Sequence, residues 1–86
     1  MTDLRDLRTG DRVRVTRIGR GGSRSVWEGE LVTVDPEIGF TLQGARVGDG
    51  TPERSFFAAL ESLRKWAGCE QTIELLERPG RGHTGR

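Results

Sequence analysis

Residues 26–34, VWEGELVTV, alternate as a strand does, but their apolar side chains change sides part-way. Trp27, Gly29, Leu31 and Thr33 share one face, and Val26, Val32 and Val34 share the other. A strand with apolar residues on both faces must bend so that each half covers the same core. Gly29 lies near the switch, and a glycine inside a strand marks a bend or a bulge. One long, sharply bent strand is what a small barrel needs, because it then serves two sheets. This stretch constrains the fold more than any other.

The flanking segments fit the same plan. In DRVRVTRI, residues 11–18, Val13 and Val15 alternate with Arg12, Arg14 and Thr16, the period of a half-buried strand. GRGGSRS, 19–25, is a glycine-rich loop to the bent strand. Asp35-Pro36-Glu37 is a turn into GFTLQGARV, 39–47, with Phe40 and Leu42 inward. Thr51, Pro52 and Glu53 read as a helix start, and the stripe Phe56, Leu60, Leu63, Ala67 predicts a helix over about 52–67 that Gly68 closes. Phe57, Ala59 and Trp66 widen the stripe, so Trp66 is expected to pack on the barrel. TIELLER, 72–78, is a last strand. TDLRDLR, 2–8, is a short helical lead-in that holds only by docking. The chain is read as a single domain over 1–78 with a disordered basic tail, PGRGHTGR, over 79–86. The element order is β-β-β-α-β.

With 86 residues, 33% apolar and 31% charged, the chain has room for one compact core and no deep active site. No apolar run approaches the roughly 18–20 residues that cross a bilayer. A single cysteine, Cys69, excludes an internal disulfide and the usual Cys/His metal site; no cofactor is expected, and the setting read from this is reducing and cytoplasmic. His83 sits in the tail, and no nucleophile, base and orienter assemble, so the chain is read as non-catalytic. Net charge is only +1, yet it is segregated. Residues 1–24 carry seven Arg against three Asp, 25–78 carry five basic residues against ten acids, and the tail adds two Arg. Thirteen of the fourteen basic residues are Arg, a bias that a high-GC bacterial or phage genome also produces.

Two motifs are shared with known small barrels. LRTGDRVRV resembles the first strand of SH3-like barrels of the KOW type. WEGELVTVDPEIGFTLQGA resembles the first signature segment of Sm and Sm-like RNA-binding proteins, through Gly29, Leu31, Asp35, Ile38 and Leu42 at the family's offsets. Gly39 stands where that family has a base-binding Asn, and the second signature segment is absent. The resemblance therefore implies the bent hairpin, and neither uridine binding nor ring assembly. The expected fold is mostly β with one helix (α+β), a small, strongly bent, partly open SH3-like/Sm-like β-barrel.

Arg12, Arg14, Arg17, Arg20 and Arg24 are expected to form a continuous basic strip, with Trp27 beside it as a stacking surface if its ring is exposed. A planar guanidinium donates in pairs to phosphate, so this strip points to contact with an RNA or DNA backbone. The alternative is a protein-interaction or assembly module, such as a bacterial or phage adaptor, that uses an exposed strand edge, with self-association included. No membrane partner is expected. The feature that separates the two is whether these Arg residues stand unpaired or are bonded to acids such as Glu74 and Glu77.

Overall fold

A computed structural model describes residues 4–78. Five strands form one open antiparallel sheet: β1 (Arg12–Ile18), β2 (Arg24–Asp35), β3 (Gly39–Arg46), β4 (Pro52–Ala58) and β5 (Glu70–Glu77), in the order β4-β3-β2-β1-β5. A single helix, α1 (Leu60–Ala67), precedes β5. The predicted lead-in helix is one 3-10 turn at Leu4–Asp6. Residues 79–86, where the tail was expected, lie outside the described residues.

The alternation in β1 works as predicted. Val13 and Val15 are fully buried, opposite Gly29 and Trp27 on β2 and opposite Leu75 and Ile73 on β5. Leu31, Phe40, Leu42 and Phe57 complete the core, and Leu4 and Leu7 close its far end. The change of face in β2 is real, but its cause is a bulge at Val32. Leu31 pairs with Leu42 while Thr33 pairs with Thr41, so β2 holds one extra residue and Val34 returns to the inner side opposite Phe40. Gly29 has another role. It lies directly opposite Gly44, and a Cβ on either would run into the backbone of the other strand.

The predicted helix over 52–67 is half wrong: residues 52–58 form β4, and only Leu60–Ala67 are helical. Phe57 and Ala59, which only widened the predicted helical stripe, are buried two apart, the spacing of a strand, whereas Phe56 of the stripe itself is 59% exposed. Pairing along the free edge of β3, with Phe57 opposite Phe40, decides between them. Pro52 is tolerated as the first residue of an edge strand. Thr51 does not cap a helix; its hydroxyl bonds Asp49 Oδ1 at 3.4 Å. Gly68 does close α1, in the left-handed region at φ 66°, donating to the Arg64 carbonyl at 3.2 Å.

With its first half in the sheet, the apolar stripe of the helix is too short to bury, and α1 contains no buried residue. Trp66, expected to pack on the barrel, is 82% exposed, with Lys65 Nζ 5.8 Å from its ring. Strands β4 and β5 are the two sheet edges, and no ladder joins them. The Gln71 side chain spans that seam, donating from Nε2 to the Ala58 carbonyl at 3.2 Å.

A candidate anion-binding interface at the hairpin end

Register divides the expected basic strip between two faces of the sheet. Arg12 and Arg14 lie on the outer face, each between two acids. Arg12 is opposite Glu30 on β2 and Glu77 on β5, and Arg14 is opposite Glu28 and Glu74. Arg14 Nε donates to Glu28 Oε2 at 2.8 Å and its Nη1 to Glu74 Oε1 at 3.3 Å. The Glu28 hydrogen bond and charge raise the Arg14 pKa, with Glu74 adding to them. Glu70 lies on the same face, in the row of Ile18 and Arg24. Two Arg stand against four flanking acids here, and Arg54, bonded to the Gln43 opposite Glu30, adds a third cation to this face from β4. Arg14 is neutralised where it stands, and Arg12 lies between two acids by register without a bonded carboxylate.

Arg17 belongs to the other face. It continues the series Val13, Val15 on the core side of β1, opposite Gln71. Its guanidinium lies 5.7 Å from the Trp27 ring centre and 5.2 Å from that of Phe57. Nε and Nη2 both donate to Gln71 Oε1, at 3.3 and 2.8 Å. Gln71 is itself only 5% exposed and is fixed through Ala58. Burial lowers the Arg17 pKa, and Cys69 nearby works weakly against that. Half-burying a cation beside neutral partners alone is costly, because no counter-charge offsets lost hydration.

Arg46 completes the arrangement from β3. It sits directly opposite Trp27, with its guanidinium 5.9 Å from the same ring, and donates from Nη2 to the Ser25 hydroxyl at 3.0 Å. Trp27 is half-buried and meets Phe57 edge-on at 5.0 Å. Its ring thus serves as a pedestal for two guanidinium groups instead of an open stacking surface.

Arg20, in the β1–β2 loop, lies against the C-terminus of α1. A Cβ added to Gly68 would sit 2.8 Å from Arg20 Nε. Arg24 opens β2 at the same end and is exposed. Neither forms a hydrogen bond or ion pair with another described residue. No carboxylate is bonded to Arg17, Arg20, Arg24 or Arg46 among the described residues; each of the three ion pairs seen there belongs to Arg14 or Arg78. The structure gathers four guanidinium groups at one end. No protein-family model matches the chain, and no curated protein or solved structure is significantly similar to it.

Arg46 and Gln71 escape a reading based on runs of basic residues. Arg46 was findable: it has the parity of Phe40 and Leu42, and a charge on an apolar face is the signal. Gln71 shows only once β5 is set against β1. Among the described residues no cluster of His, Cys, Asp or Glu could hold a metal ion, and no helix is long and apolar enough to cross a membrane. Cys69 is half-buried, with Sγ 3.6 Å from the Ala67 carbonyl oxygen.

Arg17→Met tests whether Arg17 is kept at a cost. The thioether chain retains the contact with Trp27 and Phe57 and removes the charge. Urea unfolding is expected to show a net change within about 1 kcal/mol, because relief of the half-buried charge is offset by leaving the buried Gln71 Oε1 without its two donors. A clear loss would instead make the Gln71 bonds the reason for an Arg here.

Proposed function

We propose that this protein is a non-catalytic nucleic-acid-binding domain that contacts the phosphate backbone through its hairpin end. The observation that carries the reading is the group formed by Arg17, Arg20, Arg24 and Arg46, four cations with no bonded carboxylate among the described residues. Relative to the strip expected from sequence, the interface excludes Arg12 and Arg14 and gains Arg46. Trp27 contributes by holding two guanidinium groups in place. Four consecutive strands followed by a fifth that returns to β1 support an SH3-like or Sm-like barrel as the scaffold.

Fluorescence anisotropy with single-stranded RNA, single-stranded DNA and duplex DNA, each at about 50 and 200 mM salt, tests the reading directly. Binding is expected to fall steeply with salt. The double variant Arg20→Ala, Arg24→Ala should weaken it and reduce the log–log salt slope by about 1.5, the share of two phosphate contacts. Its Tm should stay within about 2 °C, as expected for exposed side chains away from packing. Arg12→Ala with Arg14→Ala should leave the slope unchanged. No binding of any probe at low salt would overturn the proposal.

A groove of about 660 Å³ along the open seam, reaching the Gln71 that holds Arg17, favours a second reading. Leu4, Pro36, Leu60, Gln71 and Ile73 line it along the open seam, where the β5 edge is unpaired. An extended peptide could add to that edge, which is the protein-interaction alternative.

A further inference from the structure

We infer that half-buried Arg17 and exposed Arg46 together seat the terminal phosphate of a nucleic-acid strand, a phosphomonoester dianion. This rests on reading the hairpin end as a nucleic-acid interface, and it names the part of the strand that is recognised.

Charge balance is the first argument. Both guanidinium groups lie within 6 Å of one indole ring, and their hydrogen bonds go to a neutral amide and a neutral hydroxyl. Two uncompensated positive charges at one ring match a doubly charged anion better than the single charge of an internal diester. Geometry is the second. Gln71 holds two of the Arg17 donors, so Nη1 and the remaining Nη2 hydrogen are what the group offers to a ligand. That guanidinium is already fixed by two rings and a buried amide, so little side-chain freedom is lost when an anion binds.

The surroundings supply the third argument. A strand threaded past the tip would carry its next phosphates beyond Arg24 along the outer face, where Glu28 and Glu74 flank Arg14 and would repel them. A strand that ends at the tip avoids this. Bases gain nothing at Trp27, whose ring is taken by Arg17, Arg46 and Phe57. Recognition therefore falls on the phosphate.

The test compares one single-stranded oligonucleotide in three forms: 5′-phosphorylated, 3′-phosphorylated and hydroxyl-ended. A phosphorylated form is expected to bind about tenfold more tightly, the scale of one or two added charge-assisted hydrogen bonds. Arg17→Gln or Arg46→Gln should erase that advantage while the hydroxyl-ended strand keeps the binding supplied by Arg20 and Arg24. Arg46 is exposed, so its variant leaves the core intact and guards against misfolding of the Arg17 variant. In a Trp66→Phe background, Trp27 emission should respond to inorganic phosphate and not to chloride at equal ionic strength. Equal affinity for all three forms would overturn the inference and leave the hairpin interface standing. A phosphate response at Trp27 with no binding of any strand would overturn both, and a phosphorylated peptide would then be the ligand to try.

Discussion

Asp11→Ala is expected to cost about 2–4 kcal/mol, the range for removing one partner of a buried, hydrogen-bonded ion pair. Asp11 is 2% exposed and accepts three hydrogen bonds: from the Arg8 backbone N–H at 2.9 Å, and from Arg78 Nε and Nη2 at 3.1 and 3.0 Å. Arg78 Nη2 also donates to the Asp6 carbonyl. One carboxylate thus ties the lead-in turn, the start of β1 and the residue after β5 into a single clasp. Alanine leaves the Arg8 N–H and the guanidinium without their acceptor. Burial alone would raise the Asp11 pKa, but the Arg78 hydrogen bonds, the Arg8 N–H and the two positive charges together hold it below its ordinary 3.8.

The sign of the pH dependence follows from that lowered pKa. A depressed carboxylate contributes its full stabilisation above the unfolded pKa and loses it as pH falls through the folded one. Wild-type Tm should therefore drop as pH falls from about 4, and Asp11→Asn should lack that part of the drop. Urea midpoints at pH 7 and pH 3 for the three proteins decide it. A Tm of Asp11→Ala within a degree of wild type would show that the clasp holds nothing.

Gly44→Ala should be of similar size, about 3 kcal/mol, at the upper end for overpacking because the obstacle is backbone. The added Cβ would run into the Glu28 carbonyl oxygen and lie 2.5 Å from Gly29 Cα, and neither can turn aside as a flexible side chain does. The β2–β3 pair must then separate, and it carries Leu31, Phe40 and Leu42 of the core. Gly29→Ala is expected to do the same from the opposite strand. Gly19→Ala is the control, since its Cβ would meet only the Ser23 carbonyl oxygen, at 3.9 Å, an ordinary contact. Denaturant midpoints with far-UV circular dichroism separate local loss from unfolding. A Gly44→Ala protein as stable as the control would mean that the strands do not approach so closely.

What could be read in the sequence is what local alternation determines. Strands β1 and β3 follow from Val13, Val15, Phe40 and Leu42, and the extra residue of β2 announces itself as a change of face between Leu31 and Val34. The segment over 52–58 could not be read this way. Phe56 continues the helical stripe of Leu60 and Leu63 while Phe57 and Ala59 fit a strand's alternation, and the long-range partner that decides, β3, is invisible to a local pattern. The interface shows the same division. The excess of Arg near the N-terminus is plain, but the ion pairs of Arg14 and the acidic flanks of Arg12 depend on residues 14 to 65 positions away, which only the register brings alongside. Arg46 needed one more step, asking why a charge shares the parity of buried side chains.

The arrangement of charge also governs how a partner would arrive. Four cations without a bonded carboxylate among the described residues lie at one tip, while along the outer face Glu28, Glu30, Glu74 and Glu77 alternate with Arg12, Arg14 and Arg54, so unpaired positive charge is concentrated at the hairpin end. A polyanion diffusing nearby would turn the hairpin toward itself before it touches. If the hairpin end is the interface proposed above, collisions that present it to a polyanion would be enriched, and association would be set by orientation in flight as much as by contacts afterward. Moving one positive charge from the tip to the outer face would leave the net charge untouched and still slow capture.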